Sequence, residues 1–440
     1  MSNLFSEFKE VSNQQWKDQI IKDLKGASID ILTWHTQNGF DVAPFYTSED
    51  LATETKPLFT HSNWDICEHI HVLDEKKANT QALEALQKGA SGLVFYIHKK
   101  IDTQRLIKDI SLEHIYSQFF ISNDALHVLT DLKNSYGKVN TFDGKIKCIV
   151  SIDPVGLFAY YGEWHQSQEK DLEVIKQLIH IPVNASLYQE AGSTQVNELA
   201  FALAHCNEYF NYLNEAKLLS DKLVHVTFSI GGDFFTEIAK LRAFRKLLSL
   251  LQENYQTHFP LHIHCQTSQL NKSEKDAYTN LLRSTTEAMS AVIGGADSLS
   301  IVPFDDSFSE PNEFSSRMAI NQQHILKDES YLNTVADIAA GSYYIESVSE
   351  QLAATAWEKF KEIESKGGFM ACLNLGYIQD TIQSDFKILS ENYKENKSVL
   401  IGVNKYANAS DTKQTLKKKD TDTNGKSIKR ILPKRLTDLF

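Results

Sequence analysis

Gly89-Ala90-Ser91-Gly92-Leu93-Val94-Phe95-Tyr96-Ile97 closes a helical pattern on a glycine and then runs straight into apolar, β-favouring side chains. The same punctuation returns at Gly295-Ala296-Asp297-Ser298-Leu299. A glycine just past a helix accepts the left-handed backbone that ends it, and a short apolar run bounded by such signals reads as a buried strand. On either side of this echo the chain alternates short β-rich runs with longer helical stretches. Strands are predicted near 66–73, 92–97, 115–122, 145–152, 180–187, 223–230, 260–265 and 298–303. Helices are predicted over 79–87, 123–134, 193–219, 234–251 and 272–293. Strands in this number, each followed by a helix or crossover, give an α/β fold of the (β/α)8 TIM-type barrel. An open doubly wound sheet fits so many strands with short turns less well.

The barrel is expected over 61–330, preceded by an N-terminal arm, 1–60. In the arm, helical spacing over 16–24 stops at Lys25-Gly26, and Pro44 and Pro57 break the rest into extended pieces. Helical patterns at 314–327 and 352–366, the second stopped by Gly367-Gly368, lead into a C-terminal helical extension, 331–410. Residues 411–440 form a basic tail carrying Lys417-Lys418-Lys419, Lys429-Arg430 and Lys434-Arg435. The tail reads as a solvated terminus, with an acidic partner surface or a phosphate as its functional alternative.

The 440 residues carry a net charge of −12 and are 42% hydrophobic, enough for a substantial core and against wholesale disorder. The acidic balance argues against non-specific nucleic-acid binding. No apolar run approaches the roughly 20 residues that span a bilayer, and the opening residues lack a secretory apolar core. Cys67, Cys148, Cys206, Cys265 and Cys372 form no CxxC pair, which points to a reducing, cytoplasmic setting without disulfides or structural zinc.

A barrel presents its reactive groups at the C-terminal ends of its strands. Asp153, Gln189-Glu190, Gly231-Gly232-Asp233, His264-Cys265-Gln266-Thr267-Ser268 and Asp305-Asp306 fall there. His262 and His264 share a strand face and, with Asp305, suit a zinc that activates water, as in a metal-dependent barrel hydrolase. Hydrogen-bonded barrel histidines are the competing reading. Lys240, Arg242 and Arg245 read either as an anion clamp or as partners of acids such as Glu237, and Gly231-Gly232 is a weak anion cradle. Arg283 and Glu287, at i,i+4 spacing, are expected to pair within their helix. No GxGxxG, GxxxxGK[ST] or GxSxG stands in a convincing context, so nucleotide-binding and esterase readings have no support. The residues by themselves yield a barrel with a polar mouth and no complete catalytic constellation.

Seven ordered stretches resemble the methylmalonyl-CoA mutase family. They are Tyr188-Gln189-Glu190-Ala191-Gly192, Phe234-Phe235-Thr236-Glu237-Ile238-Ala239-Lys240-Leu241-Arg242-Ala243 and His264-Cys265-Gln266-Thr267-Ser268. Asn280-Leu281-Leu282-Arg283-Ser284-Thr285-Thr286-Glu287-Ala288-Met289, Phe314-Ser315-Ser316-Arg317, Gly341-Ser342-Tyr343-Tyr344-Ile345-Glu346 and Ile401-Gly402-Val403-Asn404-Lys405-Tyr406 come next in order. The resemblance implies a (β/α)8 barrel. It also implies isomerisation of (R)-methylmalonyl-CoA to succinyl-CoA by radicals from adenosylcobalamin, the protein supplying orientation and a water-poor cavity.

The sequence departs from catalytic members in three places. It has no D-x-H-x-x-G motif after the barrel, so no cobalamin-binding flavodoxin-like domain is expected, and Arg435-Leu436-Thr437-Asp438-Leu439-Phe440 resembles the junction where one begins. Leu187 stands where catalytic members place a histidine on the thioester carbonyl, and leucine donates no hydrogen bond. In Trp64-Asp65-Ile66-Cys67-Glu68-His69, Cys67 and His69 replace the family's substrate-contacting arginine and tyrosine, and Val150-Ser151-Ile152-Asp153-Pro154 lacks its Gln-Asn-Asp stretch. This pattern is similar to the small, non-catalytic subunit of the heterodimeric enzyme. The implied expectations are no catalytic residues, no metal, no cofactor held by this chain alone, and adenosylcobalamin brought by a large catalytic partner subunit. Vestigial acyl-CoA contacts would fall on Gln189, His264, Gln266, Ser268 and Arg283. A stand-alone barrel that binds an acyl-CoA without reacting it, and the metal hydrolase, remain open as alternatives.

Overall fold

The computed structural model describes residues 7, 9, 11–51, 56–122, 126–136, 141–142, 145–146, 148–220, 222–408 and 426–440. Eight strands form one parallel sheet: β1 Asp65–His71, β2 Gly92–Ile97, β3 Tyr116–Ile121, β4 Cys148–Ser151, β5 His180–Asn184, β6 Leu223–Ile230, β7 Leu261–Thr267 and β8 Ser298–Ser300. Their order is β4-β3-β2-β1-β8-β7-β6-β5. The two ends of that order, β4 and β5, are consecutive in the chain, and His180 Nε2 reaches the Val150 carbonyl across the seam at 2.9 Å. The sheet therefore curls into a nearly closed (β/α)8 barrel.

The glycine echo of the sequence is a structural repeat. Gly89 and Gly295 end their helices at φ +94° and +91°. Both echoes converge on Asp65, which starts β1: its N–H donates to the Asp297 carbonyl at 3.0 Å, and its carboxylate accepts from Ser91 Oγ at 3.1 Å.

Three expectations need correction. The run 180–187 is not all strand, because the Asn184 N–H is taken by the Asp153 carboxylate at 2.8 Å and the chain turns into the helix Ser186–Glu190. The seventh strand runs on to Thr267, whose hydroxyl accepts from the Val302 N–H at 2.9 Å. The tail does not end in solvent. Over 426–440 it packs on the barrel, with Ile428, Ile431 and Leu436 buried; Lys417-Lys418-Lys419 lies outside the described residues.

Helices such as Gln195–Glu215 and Phe234–Asn254 cover the outside of the sheet, and Tyr343–Ser365 packs over both. Inside the ring, Cys67, Val94, Tyr116, Ile149 and Leu223 form an apolar layer of their own. Around it the filling is aromatic and imidazole. Tyr116 stacks on His262, ring centroids 4.9 Å apart, and its hydroxyl donates to Gln118 Oε1 and lies 2.9 Å from His225 Nε2.

Burial holds the ring of His264 neutral, its pKa pulled down to about 3, whereas the unfolded chain titrates near 6.5. With the folded value depressed, the unfolded state binds the extra proton. Stability is then fully present above about pH 6.5 and lost as pH falls, by about 1.4 kcal/mol per unit for one such imidazole. His264→Gln, which keeps a partner for Ser298, should lose stability with acid more slowly than wild type by that slope. Glu198, Glu364 and Asp233, whose carboxyls burial raises, titrate alike in both proteins. Urea denaturation from about pH 7 to pH 5 measures the difference; parallel curves would mean that His264 is not a buried neutral group.

Candidate functional site

At the C-terminal ends of β5, β6 and β7 the barrel opens into a cleft of about 780 Å³. Its floor is built from the residues just beyond those strands. The fully buried helix Ser186–Glu190 brings Gln189 beneath the opening, where Ser268 Oγ donates to its Oε1 at 3.0 Å. Gly231 and Gly232 keep the floor open. A Cβ on Gly231 would come within 3.1 Å of Gln189 Nε2, and one on Gly232 within 3.3 Å of Asn271 Nδ2. The glycines thus make room for side chains.

Glu190 lies just below. Its carboxylate accepts from Ser229 Oγ and from the Gln269 N–H at 3.0 Å. Burial pushes its carboxyl above the ordinary range, with those bonds and Lys272 opposing. Lys272 is itself buried, and Nζ donates to both Glu287 oxygens at 2.8 and 2.7 Å and to the Ser268 carbonyl at 2.6 Å. Glu287 therefore pairs with Lys272 and not, as its spacing suggests, with Arg283. Glu287 faces inward at 1% exposure, while Arg283, half-buried at the cleft wall, donates to Asn280 Oδ1 at 2.7 Å and to the Ile401 carbonyl. Asp233 also lines the cleft, its carboxyl pushed up to about 6 by burial, with Glu237 adding to the shift.

The anion clamp is overturned. Lys240 pairs with Glu198 at 2.9 Å and Glu237 at 2.5 Å, Arg242 with Asp337 and Glu346, and Arg245 with Asp297 at 3.2 Å. The zinc site is overturned too. His262 Nε2 and His264 Nδ1 both turn to Ser298 Oγ, at 2.9 and 2.8 Å, and Asp305 is held by Asn312 at 2.8 Å. Among the described residues no group of three or more His, Cys, Asp or Glu side chains is arranged to hold a metal ion.

Of the five expected acyl-CoA contacts, Gln189, Ser268 and Arg283 line the cleft. His264 and Gln266 do not. His264 sits fully buried inside the barrel, and Gln266 Oε1 accepts from the Tyr96 hydroxyl at 2.9 Å. Leu187 is part of the main apolar core, 7% exposed. Cys67 and His69 point into the barrel, where the His69 ring lies tilted against Tyr96, centroids 4.2 Å apart, and its Nε2 lies 3.1 Å from His71 Nε2. Sequence reasoning missed Asn271 in the loop after β7 and Leu436, which reaches the cleft from the tail, and it placed Lys272 in a helix over 272–293 that begins only at Thr279. Chemically, the floor is a set of polar groups bonded to one another.

The seven stretches read from the sequence meet in this scaffold. Arg242 and Glu346, from two of them, share the buried ion pair, and Ser316 Oγ donates to Glu68 Oε1 at 2.6 Å under β1. The model of the methylmalonyl-CoA mutase family matches residues 89–437. The methylmalonyl-CoA mutase small subunit of Porphyromonas gingivalis is 33% identical over 98% of this chain and 75% of its own length. The small subunit of Streptomyces virginiae is 27% identical over 92% of this chain and 72% of its own. The methylmalonyl-CoA mutase of Rhizobium meliloti is 28% identical over 89% of this chain, which spans 64% of that relative.

Lys272→Met should cost about 3–5 kcal/mol in denaturant unfolding, because it strands Glu287 as a buried, unpaired charge. Adding Glu287→Leu should return most of that loss. A single variant as stable as wild type would show that Glu287 is solvated or protonated.

Proposed function

Because the chain belongs to the methylmalonyl-CoA mutase family, we propose that it serves as the small, non-catalytic subunit of a heterodimeric, adenosylcobalamin-dependent mutase. In this reading the heterodimer isomerises (R)-methylmalonyl-CoA to succinyl-CoA in the cytoplasm, and this chain stabilises the large catalytic subunit. The observation that carries the reading is the filled barrel axis. Tyr116, His225 and His264 are at most 1% exposed, which supports an interior occupied by side chains where an acyl chain would pass. Leu187, packed in the apolar core, has no donor for a thioester oxygen. The residues present do not fit radical chemistry between a cofactor and an acyl-CoA inside this chain, and that chemistry is assigned to the partner. No helix among the described residues is long and apolar enough to cross a membrane.

Docking is assigned to the N-terminal arm and to the helices around Arg317 and Trp357. The arm supports this with large apolar side chains turned outward, Ile31 at 65% and Phe45 at 52% exposure. A partner that binds only the folded state contributes through mass action, so the subunits stabilise each other. Size-exclusion chromatography with light scattering, on the chain alone and mixed with the large subunit, tests this. The expected result is a one-to-one complex holding all mutase activity beside an inert lone chain. Turnover of methylmalonyl-CoA by this chain with added adenosylcobalamin, or no complex, overturns it.

The open cleft supports a second reading, in which Gln189, Ser268 and Arg283 still hold an acyl-CoA that is not reacted. Calorimetric titration with a CoA ester would show heat, reduced in Arg283→Ala; absence of heat and of thermal shift removes this reading.

A further inference from the structure

His69 and His71 stand two residues apart on β1, so their side chains share one face of the strand. Their Nε2 atoms lie 3.1 Å apart, with the two rings edge to face. Tyr96, on the neighbouring strand β2, fixes both: its ring centroid is 4.2 Å from that of His69 and 5.2 Å from that of His71. Tyr96 is itself held, stacked on Phe120 at 4.8 Å, with its hydroxyl donating to Gln266 Oε1 at 2.9 Å. The two imidazoles are therefore placed by the barrel before any ligand arrives.

Two nitrogens this close admit two arrangements. In one, the Nε2–H of one ring donates to the Nε2 lone pair of the other. In the second, each ring keeps its proton on Nδ1 and both Nε2 lone pairs serve one cation. The spacing suits the cation. With metal–nitrogen bonds of about 2.0–2.1 Å, a separation of 3.1 Å subtends roughly 100° at the ion, between the octahedral and tetrahedral angles. A cavity of about 10 Å³, near the size that holds one water, adjoins the pair and is lined by His69, His71, Asp305 and Asp306. The Asp306 carboxylate lies 4.0 Å from His71 Nε2 and favours positive charge there. His69 is 8% exposed, whereas the His71 side chain is 34% exposed and gives an ion its way in. His262 and His264 are also two apart, but both turn to the Ser298 hydroxyl and present no such bite.

We propose that His69 and His71 form a two-imidazole site for a divalent first-row transition metal ion such as Zn2+, at the end of β1. Imidazole nitrogen suits zinc, nickel and copper. Water completes the coordination, since among the described residues no group of three or more His, Cys, Asp or Glu side chains is arranged to hold an ion. The site lies apart from the cleft at β5, β6 and β7, and it stands whether or not the chain serves as an auxiliary subunit.

Calorimetric titration of the full chain with Zn2+ at neutral pH tests it. The wild type should take up one equivalent, which His71→Ala should weaken at least about tenfold. His69→Gln should weaken it likewise. His35→Ala removes an exposed imidazole that pairs with Asp41 at 2.8 Å, and it should leave the uptake unchanged. Thermal unfolding verifies that each variant is folded, and His71→Asn carries the test if His69→Gln is not. Absence of Zn2+ uptake by the wild type, or uptake that survives His71→Ala at full strength, overturns the site and leaves the pair as an imidazole–imidazole hydrogen bond.

Discussion

A closed ring of eight parallel strands leaves an interior that side chains can just fill, and its filling decides what the barrel can do. Here the filling is rings. Tyr116 lies flat against His262, with an interplanar angle of 6°, and touches His225 through its hydroxyl. His264 and His262 share the hydroxyl of Ser298 on the neighbouring strand. Buried polar rings need hydrogen-bond partners, and Ser298 and Gln118 on neighbouring strands supply several of them, to His262, to His264 Nδ1 and to Tyr116. The same packing leaves chemistry and binding to the mouth.

The mouth in turn depends on buried charge. Acids and bases beneath it are neutralised by partners from other elements: Lys272 from the loop after β7 with Glu287 from the next helix, Lys240 with Glu198 across two outer helices, Arg242 with Asp337 and Glu346. Such pairs add little net stability over apolar packing, but breaking one strands a charge, so they lock the relative placement of the elements they join. That is a physical reason for motif residues of an enzyme family to persist in a chain whose proposed role is non-catalytic: they hold the scaffold in register.

The barrel was legible because its signals are local. Gly89 and Gly295 mark helix ends through their own backbone angles, and the apolar strands between helices stand out by length and spacing. The lower part of the site was legible only as composition. His262 and His264 do share a face, as the two-residue period requires, but that face looks into a packed interior with Ser298 in reach and, among the described residues, no group of three or more such side chains arranged to hold a metal ion. The Arg283–Glu287 pairing failed for a similar reason. Spacing places both on neighbouring turns, yet the inward turn of Glu287 puts it against Lys272, and a buried carboxylate takes the partner that shares its burial.

Residue type and order along the chain suffice for the alternation of strand and helix and for the family. Which polar groups meet is settled in three dimensions. There the rings of Tyr116, His225 and His264 are buried inside the barrel, the basic residues of the helix Phe234–Asn254 find buried acids, and residues 426–440 fold back onto the barrel. Those outcomes turn on which faces are buried against each other. Burial sets the cost of every unpaired charge, and linear spacing carries no record of it.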